Sequence, residues 1–161
     1  MGVSIRALKP TEYVAEITAD YIDGCRPIYT LDFSPIKHLT RFKEGWYKYE
    51  ASGKANLSIS CSTLNDFRRV LCGQVHGDWD DYCLKVETGE EPDNGAFAEF
   101  LYFADNEGCF DYSIAEKLFK DFEKYRDKIY PTLHKWYRWC YDVYYHILRE
   151  CVECRGVVYY S

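Results

Sequence analysis

The chain has 161 residues and a net charge of −6, and 18% of its residues are aromatic. A chain of this length can bury most of its apolar surface in one core, so we expect a single globular domain over residues 1–161. The acidic excess lies within residues 77–93, which contain seven acids and one lysine. The sequence has no basic stripe of the kind that a nucleic-acid-binding protein needs.

No apolar run reaches the length that crosses a bilayer, and the first residues lack the apolar core of a signal peptide. We therefore expect no membrane contact and a cytoplasmic location. Most of the eight cysteines sit within apolar patterns that are typical of buried thiols, so we expect mostly free thiols in a reducing compartment.

The N-terminal third mixes strand and helix patterns. Residues 13–22 fit either one helical face or a strand, and residues 28–33 alternate like a strand. Ser34 and Pro35 form a helix start, and apolar residues at spacings of three and four predict that this helix runs to about Tyr49.

The next elements are a predicted strand over residues 55–60 and a helix capped by Ser62 or Thr63. The apolar face of this helix turns inward, so Arg68 and Arg69 are expected to point outward.

Residues 77–95 are interpreted as a loop with a short strand at 82–86. A loop of this length in a compact domain is usually functional or disordered, and Trp79 stands in it between two aspartates. We therefore expect Trp79 to dock against the core or to bind something.

Residues 95–126 predict a helix, an acidic turn that ends at Gly108, and a second helix with a capping box at Ser113 and Glu116. The turn matches part of a calcium loop but lacks the carboxylates at its first and last positions. A structural turn is favoured, with Gly108 at positive φ and the acids near the positive end of the second helix.

A last helix from Thr132 to about Glu150 is aromatic nearly all round, which suits burial on two sides or a self-association face. The pair Cys151 and Cys154 closes this helix and is interpreted as structural, because a redox pair opens a helix. A strand over 157–160 ends the chain. The predicted fold class is α+β, with four to five helices packed on a small, mostly antiparallel sheet.

Three patches resemble a family of small proteins from phages and bacterial genomes: residues 31–34 followed by Phe42, a turn from Phe100 to Gly108, and the closing residues 156–159. The turn, FLYFADNEG, is similar to the F-L-x-x-S-D-C-D-G turn of that family and departs from it at positions 104, 106 and 107. The resemblance implies a phage-type setting, in which the cytoplasmic location is the host cytosol, and it supplies no catalytic residue.

No spacing in the sequence matches a nucleophilic triad, a phosphate-binding glycine loop or a zinc site. We therefore expect a non-enzymatic phage accessory protein without catalytic residues, metal or cofactor. Its expected role is counter-defence, by sequestering a nucleotide-derived immune signal or by blocking a host defence protein.

The rings of such a ligand would stack on aromatic side chains, and its phosphates would need arginines. The residues assigned to binding on this basis are Arg41, Trp46, Arg68, Arg69, Trp79 and Arg138. Two alternatives stay open: an interaction module whose last helix forms a homo-oligomer or meets another protein, and a small metal-dependent hydrolase that uses Asp80, Asp81, Asp105 or Glu107.

Overall fold

The computed structural model describes residues 1–18, 20–33, 36–38, 40–92 and 94–161. Two long strands, β1 (Gly2–Ala15) and β5 (Gly45–Ser60), pair antiparallel at the centre of the fold. The other strands in the described residues are β2 (Arg26–Ile28), β3 (Leu31–Phe33), β4 (Ile36–His38), β6 (Cys109–Asp111) and β7 (Val157–Tyr160). The main sheet has the order β2-β5-β1-β7-β6 with antiparallel pairs throughout, and β3 and β4 form a separate hairpin.

Helices cover one side of this sheet. Those in the described residues are α1 (Cys61–Val75), α2 (Trp79–Glu87), α3 (Ala98–Leu101), α4 (Tyr112–Ile129) and α5 (Lys135–Cys154), with a 3-10 turn at Tyr130–Thr132. The predicted α+β class is therefore confirmed.

Alternate residues of the central strands face two apolar clusters, because side chains along a strand point to opposite faces. Ile5 and Val158 lie in the main core beneath the helices, whereas Leu8 and Val157 lie in a smaller cluster with Ile28. All four residues of β7 are buried, since both faces of this strand are covered.

The predicted helix over 34–49 is wrong. Its first two residues, Ser34 and Pro35, lie outside the described residues, and β4 and β5 occupy most of the rest. The apolar spacing of three and four is present, but Tyr47 is buried opposite Tyr13 of β1. Pairing with a distant strand therefore overrides the local helical spacing, because this segment also contains aromatic residues that favour strands.

The predicted loop over 77–95 is also wrong in its first half, including the short strand at 82–86. Residues 79–87 form α2, and the Asp78 carboxylate accepts the N–H of Asp81 at 3.0 Å as an N-cap. Asp80 and Asp81, two of the acids that suggested a solvated loop, lie in the first turn of the helix, where the helix dipole favours negative charge.

Helix starts differ from the predicted ones by two or three residues. Ser60 rather than Ser62 or Thr63 caps α1, with its Oγ accepting the Thr63 N–H at 3.0 Å. Asp111 rather than Ser113 caps α4. The helix predicted before the acidic turn shortens to α3, and Gly108 has the expected positive φ of 88°.

Two predicted strands are confirmed, since residues 55–60 are the end of β5 and residues 157–160 are β7. Of the two alternatives left open for residues 13–22, residues 13–15 belong to a strand, β1, which ends at Ala15. No helix in the described part of the chain combines the length and apolarity that crossing a membrane requires.

Candidate functional site

A cleft of about 250 Å³ opens where α1, α2 and the turn after α3 meet, and we call it the Trp79 cleft. Its lining residues are Asn65, Arg68, Trp79, Cys83, Leu101, Tyr102, Phe103 and Asp105. Three segments that are far apart in the chain supply them, so the cleft exists only in the folded protein.

Arg68 forms the floor of the cleft and is 1% exposed, which contradicts the prediction that it points outward. Its Nη1 donates to Asp105 Oδ1 at 2.7 Å and to Asn65 Oδ1 at 3.1 Å, and its Nη2 donates to the Ala104 carbonyl at 3.1 Å. The guanidinium also lies 5.4 Å from the centre of the Phe100 ring. A buried guanidinium needs such partners, because an unpaired charge in the interior is strongly destabilising.

Asp105 is held from two sides. Besides the ion pair with Arg68, its Oδ2 accepts the Asn65 Nδ2 at 3.1 Å, so the three side chains form a closed triangle. The Asp105 side chain is nevertheless 46% exposed, whereas that of Arg68 is 2% exposed. The triangle therefore presents a carboxylate, and not a cation, to the solvent side of the cleft.

Two half-buried aromatic side chains, Trp79 and Tyr102, line the same cleft. The Trp79 ring lies 6.5 Å from the Tyr82 ring, which packs in the core. The Tyr102 hydroxyl donates to Glu87 Oε1 at 3.2 Å and so ties the turn after α3 to the end of α2.

Cys83 is a thiol in this setting. Burial raises its pKa above the ordinary value, and the charges of Glu87 and Asp80 add to the shift while the charge of Arg69 opposes it. A neutral thiol is a poor nucleophile, so the cleft offers shape and hydrogen bonds rather than a reactive sulfur.

On the core side of the cleft, Tyr144 and Tyr160 share a hydrogen bond of 2.7 Å. Burial raises the pKa of Tyr160 to about 12, against the opposing charge of Arg68. Burial also raises the pKa of Tyr144 well above its ordinary value. Both hydroxyls are therefore neutral, and Arg68 has Asp105 as its anionic partner.

The structure brings together two of the six assigned residues, Arg68 and Trp79. Arg69 follows on the same helix but faces solvent, with its Nη1 at 3.7 Å from Asp66 Oδ1. The sequence pattern missed Asn65 and Tyr102; the i, i+3 spacing of Asn65 and Arg68 on α1 was the available signal.

The other three assigned residues lie away from the cleft. Arg41 donates its backbone N–H to Asp111, and its guanidinium lies 5.9 Å from the Tyr112 ring. Trp46 is in β5 with its ring 6.1 Å from Tyr21. Arg138 donates to the carbonyls of residues 130 and 131 at 3.1 and 3.0 Å.

The acids of the hydrolase alternative have different surroundings. Asp80 and Asp81 begin α2, Asp105 pairs with Arg68, and Glu107 is exposed. Among the described ranges, no three His, Cys, Asp or Glu side chains lie close enough to hold a metal ion. All eight cysteines are free thiols.

A second surface feature lies on α5. Trp136 and Trp139 are 48% and 40% exposed, and their rings stack with centroids 4.8 Å apart. With His134 and Lys135 they line a mainly apolar depression of about 420 Å³.

Comparison of the chain with protein-family models, with curated proteins and with solved structures finds no match.

Proposed function

We propose that the protein is a non-enzymatic binding protein of phage-accessory type whose Trp79 cleft takes the planar heterocyclic base of a nucleotide-derived signal. The observation that supports this proposal is the placement of a half-buried tryptophan beside a rigid hydrogen-bonding group, the Arg68–Asp105–Asn65 triangle. Stacking of one base on an aromatic side chain contributes about 1–3 kcal/mol, which a few hydrogen bonds can raise to useful affinity.

The resemblance to phage proteins concerns the same region. The turn from Phe100 to Gly108 contributes Tyr102, Phe103 and Asp105 to the cleft. Sequestration in a host cell needs binding without turnover, and the neutral thiol of Cys83 fits a site that binds without reacting.

The cleft favours the base of the ligand and not its phosphates. Arg68 is neutralised by Asp105, and α2 brings the acids Asp80 and Asp81 near one wall with Lys85 as its single base. The free acceptor capacity of Asp105 would repel a phosphate. Arg68 is therefore proposed as a support for Asp105, in place of the phosphate-binding role expected from the sequence.

The test is a titration with nucleosides and their 5′-monophosphates, followed by calorimetry and by tryptophan fluorescence. We expect nucleoside binding that the 5′-phosphate does not strengthen. Trp79→Ala should weaken binding at least tenfold, whereas Trp136→Ala, which removes an exposed tryptophan elsewhere, should leave it unchanged. Equal affinity of the Trp79→Ala variant would contradict the proposal, and so would a ligand that is recovered chemically converted after heat denaturation.

A second candidate function is self-association through α5, and the two exposed tryptophans favour it. A stripe of four side chains on α5 has intervals of three, four and three residues, which read the same in both directions. Its members are Trp136, Trp139, Val143 and His146. A second copy related by a two-fold axis would place Trp136 on His146 and Trp139 on Val143, which pairs large side chains with smaller ones.

An antiparallel copy also sets the dipoles of the two helices in opposite directions, which favours this arrangement.

Light scattering over a concentration series tests this candidate. The wild type should form dimers and the Trp136→Ser, Trp139→Ser double variant should be monomeric, while Leu84→Ser, at an exposed leucine of α2, should still dimerise. A wild type that stays monomeric throughout would refute the candidate.

A further inference from the structure

We infer that the Trp79 cleft selects bases that present two adjacent N–H donors on one edge, as guanine does, over bases that present an acceptor there. This inference rests on the proposed function, because it names the class of base that the same cleft would hold.

The donors that surround Asp105 leave part of its acceptor capacity unused. An ionised carboxylate has about four acceptor positions. Arg68 Nη1 occupies one on Oδ1 and Asn65 Nδ2 occupies one on Oδ2. With the side chain 46% exposed, the remaining positions can meet a ligand in the cleft.

The same two donors fix the direction of the carboxylate. Arg68 is 1% exposed and holds three acceptors at 2.7–3.1 Å, and Asn65 bonds with both ends of its amide within the triangle. A carboxylate that is oriented before binding loses little conformational freedom when the ligand arrives, which sharpens selectivity.

The other polar groups that line the cleft have less to offer. The Asn65 carboxamide already donates one N–H to Asp105 and accepts from Arg68, and the Tyr102 hydroxyl gives its proton to Glu87. The Cys83 thiol is a weak partner whose pKa is raised by burial. The dominant recognition group is therefore an anionic acceptor with two oxygens.

Two parallel N–H groups match such an acceptor. Guanine presents its ring N1–H beside the exocyclic N2 amino group, so each can donate to one carboxylate oxygen. Hypoxanthine keeps the ring N–H but lacks the amino group, and adenine presents a ring nitrogen acceptor beside its amino group. The carboxylate would repel that acceptor.

The experiment uses the wild-type chain and three nucleosides in calorimetric titrations: guanosine, inosine and adenosine. We expect guanosine to bind about tenfold or more tightly than inosine, which corresponds to about 1.4 kcal/mol. Adenosine should bind more weakly again. Because the wild type serves in all three titrations, the result does not depend on a variant that might misfold.

A variant pair tests the assigned residue. Asp105→Asn replaces one acceptor with a donor and should remove the preference for guanosine over adenosine. Glu107→Gln neutralises an exposed acid two residues away and should keep the preference. Circular dichroism of both variants establishes that the fold is intact before their affinities are compared.

Two outcomes overturn the inference in distinguishable ways. If all three nucleosides bind alike and Trp79→Ala abolishes their binding, the edge selectivity is refuted while the proposed function stands. If no nucleoside binds the wild type, the proposed function and this inference both fail.

Discussion

Replacing Asp105 with alanine removes the anionic partner of Arg68, a guanidinium that is 1% exposed. Removing one partner of a buried pair costs about 3–5 kcal/mol because the other charge stays in the interior. Here the carboxylate is 46% exposed, so solvent already screens part of the pair and we expect about 2–4 kcal/mol.

The reverse replacement should cost less. Arg68→Met removes the charge and fills part of the same volume, and it leaves Asp105 free to be solvated through its exposed face. The Ala104 carbonyl loses one donor. We expect a loss of about 1–2 kcal/mol from this hydrogen bond and from imperfect packing.

Urea denaturation followed by circular dichroism measures these differences, and a thermal melt should show Asp105→Ala about 5–12 °C below the wild type. Glu107→Ala, an exposed acid two residues on, is the matched control and should change stability by less than about 0.5 kcal/mol. The double variant Arg68→Met, Asp105→Asn should be no less stable than Asp105→Ala. The reasoning is refuted if Arg68→Met costs as much as Asp105→Ala.

Three further predictions concern other parts of the chain. Gly53→Ala should cost about 2–4 kcal/mol and Gly89→Ala only about 1 kcal/mol in urea denaturation. Both glycines have positive φ, but a Cβ at Gly53 would displace the Glu150 carboxylate, which accepts the backbone N–H groups of Lys54 and Ala55. Equal losses would contradict this steric account. Burial raises the pKa of Glu99 above its ordinary 4.5, so the folded state keeps the Glu99 proton to a higher pH than the unfolded state does. The wild type should therefore lose stability relative to Glu99→Gln as the pH rises above 4.5. Parallel curves of stability against pH for the two proteins would disprove this prediction. Titration of the native protein with a chromogenic disulfide should first label the three partly exposed thiols, which are Cys61, Cys83 and Cys154. Rapid labelling of the buried Cys140 would count against the fold.

The sequence predicted the elements whose local signals and tertiary environment agree. Residues 112–129 and 135–154 carry apolar residues at helical spacing and form α4 and α5. Residues 157–160 read as a short apolar strand and form β7. Gly108 ends an acidic turn with φ of 88°, a conformation that glycine adopts without strain.

The wrong predictions arose where a segment fits both helical and strand spacing, or where a cluster of charged residues was interpreted as an exposed loop. Residues 45–49 satisfy a spacing of three and four, but their backbone pairs with β1, which lies more than thirty residues earlier. Asp78, Asp80 and Asp81 suggested a solvated loop and instead cap and begin α2. A local sequence pattern carries no information about a partner strand or a neighbouring helix, so it cannot decide between a helix and a strand, or between a loop and a helix start.

The candidate site shows the same division. Composition and spacing by themselves determined the α+β class, the two long C-terminal helices and the choice of Trp79 and Arg68 as residues of interest. Only the tertiary structure decided that Arg68 turns inward, because its partner Asp105 is 37 residues away in the chain. Burial of a guanidinium is tolerated where an anion comes within bonding distance, and that proximity is a property of the packed fold and not of the helix that carries the arginine.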